Sequence, residues 1–323
     1  MYRKVVITGG LGLIGSHLIE RILKMSEEII VLDDNSTGSI SNLDKILDTS
    51  RIELINGSIV DAQLVDSAMK AADVCFHLAA SLGVKRILKE PLTSYRTNVH
   101  GTENVVSSAS KFGTKVFMAS TSEIYGKSPE QPLTETSNRV LGSPLNIRWA
   151  YSESKALDES LLQMYRQERG LDYVIGRFFN TVGPRQISSY GMVVPRFVRA
   201  ALKGDDIEVY GDGTQTRVFC HVRDAVEAVL ALMENPKAIG DVFNIGGETE
   251  ISMNDLALKV KEISSSNSAI RNVPYAEAYT QGFEETFRRV PDTSKIRNLT
   301  GWQPKLTLEQ IIKDVVEFVR NVD

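Results

Sequence analysis

The sequence predicts an α/β fold, a doubly wound parallel sheet followed by a smaller C-terminal α/β lobe, and three observations carry that prediction. Residues 5–15 read VVITGGLGLIG, a β-branched run that enters a loop with glycines at 9, 12 and 15. Leu18, Ile19, Ile22 and Leu23 then follow at helical spacing, so the stretch is a strand, a tight turn and a helix. A second apolar run, EIIVL at 28–32, ends on Asp33. Beyond it, short apolar strands keep alternating with helical patterns, the signature of parallel βαβ units.

The glycine turn has a chemical reading. Without a Cβ the backbone reaches positive φ and approaches a phosphate closely, and the helix that follows offers unpaired N–H groups to an anion. An ordinary glycine turn is the plainer alternative, but position and sequel favour a Rossmann-type site. Asp33 lies within the ~20 residues after the last glycine where a carboxylate can accept both hydroxyls of an adenine ribose. It therefore argues for NAD. A 2′-phosphate would call for a nearby cation, and Lys45 is the only basic residue from 33 to 50.

With 323 residues, 42% of them hydrophobic, the chain can bury a large core as one large domain or two fused lobes. The net charge of -4 is spread along the sequence and supplies no basic face for nucleic acid. No run approaches the ~20 apolar residues of a membrane span, so a soluble protein is expected. The N-terminus enters the first strand without an apolar signal core, and Cys75 and Cys220 are too few for a disulfide framework, which points to the cytoplasm. Both cysteines lie beside apolar residues and the four histidines lack ligand spacing, so no metal is expected.

Along the chain, strands are expected at 52–56, 74–78, 115–119 and 173–177, with helices at 61–71, 95–112 and 151–169. From about Gly183 the alternation breaks, and helices are expected near 194–202, 224–233 and 253–263. Residues 1–182 are thus expected to form the nucleotide-binding domain, joined by a returning strand near 241–246. Residues 183–323 would mainly form a lobe over the carboxyl ends of the strands, where ligands bind in such sheets.

Two segments carry chemistry. KVFMASTSEIYG, at 115–126, is an apolar strand that ends in Ser120 and Thr121, followed by Ser122 and Glu123. Alone it could be a polar strand-to-loop turn. Thirty positions past Thr121, Tyr151 and Lys155 stand four apart in a helical pattern and share one face. Alone they could be a half-buried tyrosine beside a solvated lysine. With the nucleotide loop upstream they suggest a phenol whose pKa is lowered by an ammonium and a cationic nicotinamide, ready to take a proton from a sugar hydroxyl.

On these motifs the chain resembles, from Val5 to about Lys305, an extended short-chain dehydrogenase/reductase of the NAD-dependent epimerase/dehydratase family, which acts on nucleotide sugars. The resemblance implies that Gly9, Gly12, Leu13, Ile14, Gly15, Asp33, Asn35, Ser36, Ser58 and Ile59 hold NAD, together with Leu78, Ala79, Ala80, Asn98, Tyr151 and Lys155. His77 opens the HLAA segment that passes beside the cofactor. Thr121, Ser122, Glu123, Tyr151 and Lys155 would be catalytic, and Asn180, Arg185, Val194, Tyr210, Arg217, Arg288 and Arg289 would meet the nucleotide-sugar substrate. Ser58 departs from the family, which usually has an aspartate there against adenine. The resemblance also implies a homodimer paired through helices 95–112 and 151–169, to which Leu157, Leu161 and Leu162 lend an apolar stripe.

Family members share a first step: the tyrosine takes the proton of the sugar 4-hydroxyl as hydride leaves for NAD, giving a 4-ketone. Thr-Ser-Glu together with LGSPLNIRWAYSESK is most similar to UDP-glucuronate decarboxylases, in which the matching Ser, Glu and late Arg attend the sugar carboxylate. A 4-ketone is β to that carboxylate, so carbon dioxide can leave. A UDP-sugar 4-epimerase ranks second, although many such enzymes have a small residue at the Glu123 position. A 4,6-dehydratase ranks third, since many require Asp where Ser122 stands. A sensor or scaffold without chemistry would have no need of Thr121, Tyr151 and Lys155 together.

Overall fold

The computed structural model describes residues 1–44, 46–47, 49–187, 192–278 and 284–322. Seven parallel strands form the central sheet, in the order Asp241–Ile245, Tyr173–Phe178, Lys115–Thr121, Val74–His77, Tyr2–Thr8, Ser26–Asp33, Ile52–Asn56. The direction of winding reverses between Tyr2–Thr8 and Val74–His77, which opens a crevice at the carboxyl ends of those two strands.

Apart from the edge strand Ile52–Asn56, these strands are largely buried on both faces, as their Val, Ile and Phe content requires. One face packs Val5, Ile7, Val31 and Phe117 against helices Leu13–Ile22 and Val222–Glu234. The other packs Val6, Ile30, Cys75 and Met118 against helices Ala62–Met69, Gly101–Phe112 and Ala150–Arg169. A separate core joins helices Val193–Lys203, Met253–Ser264 and Leu308–Val322. The last of these lies beyond the helices expected from sequence, though Leu308, Ile311, Ile312, Val315, Val316 and Val319 follow helical spacing and are all buried.

The helix expected over 95–112 is continuous but not uniform. Pro91–Tyr95 passes into a π turn at Arg96–His100 before Gly101–Phe112 resumes α geometry. Within that wide turn the Asn98 amide accepts from the Ser81 N–H at 2.7 Å and donates to the Ser81 carbonyl at 3.0 Å. Three short pairings complete the second lobe. Thr216–Val218 lies between Glu250–Ser252 and Arg288–Arg289, Ile207–Tyr210 pairs with Ile270–Val273, and Thr181–Val182 pairs with Cys220–His221. Among the described residues no helix is long and apolar enough to cross a membrane.

Candidate active site

A cavity of about 470 Å³ opens at the crevice, between the sheet and the second lobe. Its first wall is backbone. Gly9 has φ +70, and a Cβ there would lie 2.7 Å from the Ala79 nitrogen; on Gly15 it would lie 2.4 Å from the Gly9 carbonyl oxygen. Neither position tolerates a side chain without backbone movement. Gly12 differs: a Cβ would meet the Gly9 carbonyl oxygen at 3.4 Å, and the residue lines the cavity. It also caps helix Leu13–Ile22 without a side chain, so the first-turn N–H groups of Leu13, Ile14 and Gly15 face the cavity. That cradle, which a Cβ would fill, fits a pyrophosphate.

Asp33 lines the same wall, and its oxygens accept from the N–H groups of Leu11 at 3.0 Å and Asn35 at 2.9 Å. Burial pushes this carboxyl up, and the two N–H donors act against that shift. Each oxygen keeps a lone pair for a ribose hydroxyl. Leu78, Ala79 and Ala80 complete the wall, so the residues present fit NAD.

Six residues given to the cofactor by resemblance lie outside the cavity lining. Asn35 spends its amide on Asn56 at 3.1 Å, Ser58 accepts from the Val60 N–H at 3.3 Å, and Ile59 is buried against Gly101. Asn98 is buried and occupied by Ser81, so it closes the loop behind Ala79 and Ala80. Lys155 lies beneath the surface, as described below. Ser36 accepts from Arg86 at 3.4 Å, which brings a guanidinium to this end of the site from 50 residues away. Lys45 lies outside the described residues; Asp33, on the wall itself, still opposes a 2′-phosphate. His77 is also buried and faces inward rather than toward the cavity.

The catalytic segments meet where strand Lys115–Thr121 ends beside the N-terminus of helix Ala150–Arg169. Thr121 hydrogen-bonds the Tyr151 hydroxyl and accepts from the Glu123 N–H at 3.2 Å. Tyr151, Thr121, Ser122 and Glu123 line the cavity. The expected lowering of the Tyr151 pKa is corrected by the surroundings: burial pushes the phenol up, and the negative charges of Glu123 and Asp158 add to that shift. The Lys155 ammonium is 1% exposed and lies 3.3 Å from the Asp158 carboxylate, so the protein alone gives its charge a partner other than the phenol.

Glu123 is clamped from two sides. Arg148 Nη2 lies 2.6 Å from one carboxylate oxygen, and Arg289 donates to the other. Burial alone would raise this carboxyl, but the charges and hydrogen bonds of Arg289 and Arg148 outweigh it and hold the group below the usual carboxylate range. It is therefore ionised at neutral pH. Arg289 also donates to Asn180 at 3.3 Å, whose amide donates to the Val218 carbonyl at 2.8 Å.

The register resolves which of two adjacent arginines faces the site. Arg288 and Arg289 pair with Thr216 and Arg217 in a strand, where neighbouring side chains point to opposite faces. Arg289 lines the cavity; Arg288 is exposed and forks onto Glu250 at 2.8 and 2.8 Å. Arg217 donates to Glu285 at 2.7 Å, Arg185 pairs with Glu20, and Val194 and Tyr210 line the same half. Sequence reasoning missed Arg148, Arg196, Tyr275 and Glu285. Arg148 stands three residues before Tyr151, but its contact with Glu123 appears only in the fold.

The chain matches the family described as GDP-mannose 4,6 dehydratase over residues 6–315. It belongs to that family. Among its relatives, the UDP-N-acetyl-alpha-D-glucosaminuronate decarboxylase of Bacillus cytotoxicus is 40% identical, over 100% of this chain and 99% of the relative. UDP-glucuronic acid decarboxylase 1 of Arabidopsis thaliana is 35% identical over 98% of this chain and 70% of its own length. The solved UDP-glucose 4-epimerase of Thermus thermophilus, in complex with NAD, superposes with a TM-score of 0.87 at 27% identity, covering 99% of this chain and 100% of that one. This member of the GDP-mannose 4,6-dehydratase family thus has relatives named as decarboxylases and as an epimerase.

Proposed function

We propose that the protein decarboxylates a UDP-linked uronic acid through a 4-keto intermediate, with NAD as cofactor. The observation that carries this reading is the Arg148–Glu123–Arg289 cluster beside Thr121 and Tyr151. Two guanidinium groups share one carboxylate, which leaves a net positive charge at the reacting end of the cavity. A uronate carboxylate needs such a partner, and a guanidinium fork matches its two oxygens.

NAD, when bound there, would supply the hydride acceptor for C4 and the hydride for its later reduction. Tyr151 accepts the 4-hydroxyl proton, and Thr121 orients it. Arg289 holds the C5 carboxylate beside the new ketone, so that the C5–C6 bond breaks, carbon dioxide leaves and its electron pair passes into the C4–C5 enolate. A proton from solvent then returns to C5, and Tyr151 gives its proton back to the C4 oxygen as that carbon is reduced. Glu123, already ionised, keeps Arg148 and Arg289 in place and acts as a charge or as a base, not as the proton donor. The five arginines that line the cavity, Arg148, Arg185, Arg196, Arg217 and Arg289, suit a substrate that also carries a diphosphate. The lobe built mainly from residues 183–323 would hold that nucleotide.

The test is incubation with UDP-glucuronate and with UDP-N-acetylglucosaminuronate, following carbon dioxide release and product mass. Carbon dioxide from either supports the reading, and the better substrate fixes whether C2 carries a hydroxyl or an acetamido group. Glu123→Gln should then reduce bound NAD normally but release carbon dioxide more slowly. Interconversion of 4-epimers without carbon dioxide, indifferent to Glu123→Gln, would replace the decarboxylase by the epimerase.

The protein is further proposed to form a homodimer through helix Ala150–Arg169 and its neighbours. Leu157 and Met164 on that helix are 48% and 51% exposed and Leu92 is 72% exposed, whereas Leu162 is fully buried in the protomer core. Two free, buried thiols fit a reducing cytoplasm.

A further inference from the structure

Lys155 and Asp158 form a buried ion pair one helical turn apart, each 1% exposed. A chain of hydrogen bonds runs from Asp158 back to the cofactor wall. Thr102 Oγ1 donates to Asp158 Oδ2 at 3.3 Å, and His77 Nε2 lies 3.0 Å from that Thr102 hydroxyl. His77 Nδ1 lies 2.7 Å from the Thr8 hydroxyl, which accepts from the Ala79 N–H at 3.3 Å. The two ends fix the direction of every link. Thr102 spends its one proton on the carboxylate, so His77 must donate through Nε2. Burial, with the Lys155 charge, lowers the imidazole pKa to about 3, so the ring is neutral and Nδ1 accepts from Thr8. Every donor in the chain points toward Asp158.

We propose that Asp158 is a positioning residue that holds the Lys155 ammonium in this buried pair and sets the pH at which Tyr151 yields its proton. The proposal rests on Tyr151 being the base, but not on which sugar it serves. Tyr151 is surrounded by Thr121 and Glu123 from the end of strand Lys115–Thr121 and by Asp158 from its own helix. Glu123 is compensated by Arg148 and Arg289, and Glu159, next to Asp158, is paired with Arg177 at 2.7 Å. Asp158 is thus the negative charge whose removal changes the balance around the phenol with least disturbance to the substrate pocket.

Asp158→Asn keeps the size and the acceptor but removes the charge. The tyrosinate absorbance of the purified holoenzyme would be titrated against pH, with Tyr151→Phe in the same background as the blank. The Tyr151 transition should move down by about one pH unit or more, the range for loss of a neighbouring charge, and the acid limb of kcat/KM should follow it. The plateau kcat should stay within a few-fold of wild type. Asp158→Ala removes charge and hydrogen bond together, and should give the same downward shift with a lower kcat. Bound NAD and the melting curve report whether each variant is folded. A fall in kcat with an unmoved or raised Tyr151 transition in a folded variant would overturn the proposal. The tyrosinate titration needs no substrate, so it stands even if neither uronate is decarboxylated.

Discussion

At the glycine turn the cavity wall is backbone drawn from residues 9–15, a single stretch of chain, with the Asp33 carboxylate on the same wall. Across the cavity the wall is side chains, and the Arg289–Glu123 pair joins residues 166 apart while Arg217–Glu285 joins residues 68 apart. The nucleotide half is rigid because its atoms are part of the main chain. The opposite half is held by ion pairs whose members come from separate elements, so single substitutions can retune it without unfolding the sheet. A wall made of main chain serves a ligand that stays the same across many enzymes, and a wall made of side chains serves one that changes.

The comparison can be broken at either half. Tyr151→Phe, at the seam between them, should lower kcat by ~10²- to 10⁴-fold while NAD stays bound, the usual contribution of a general base. Turnover by the variant at near wild-type rate would remove the base from the mechanism. Arg289→Ala should cost about 10- to 10²-fold in kcat/KM for a uronate, as expected for a charged hydrogen bond, and much less for a neutral UDP-hexose. Equal losses on both would mean that Arg289 does not meet the carboxylate.

Gly12→Ala probes the main-chain half. Since a Cβ there meets the Gly9 carbonyl oxygen at 3.4 Å, the variant should melt close to wild type yet bind NAD about tenfold more weakly, measured by dinucleotide retained on purification. Full NAD content would mean that the cradle at Gly12 is not where the pyrophosphate lies. The smallest effect is expected at Arg288→Ala. Its exposed pair with Glu250 should contribute about 0–1 kcal/mol, read as a slight change in Tm with unchanged kinetics.

The same contrast explains what could be read from the sequence. The glycine turn and Asp33 were legible because short-range spacing dictates their geometry. So was the parallel sheet, since its strands are short apolar runs flanked by helical periodicity. Arg148 was not singled out, because nothing in a linear sequence shows that it reaches the Glu123 carboxylate. The choice between Arg288 and Arg289 needed the pairing register with Thr216 and Arg217. Asn98 was assigned to the cofactor by resemblance, and only the π turn at Arg96–His100 shows its amide turned onto Ser81. The raised Tyr151 pKa was invisible for a related reason: burial of the phenol comes first among its causes, the charges of Glu123 and Asp158 follow, and all three exist only in the fold.

The strand Asp241–Ile245 has a consequence for how such a chain can be divided or inherited. It reaches the sheet after the excursion through residues 183–221, and it covers the flank of Tyr173–Phe178. A fragment ending near residue 182 would leave that flank as a bare row of amide and carbonyl groups, an invitation to self-association. The residues beyond 182 are therefore not a cassette that recombination could exchange whole at one junction. New substrate preferences in this lineage have to arise by rewriting residues in place, and a designer who wants to graft specificity must transplant side chains at several separated positions.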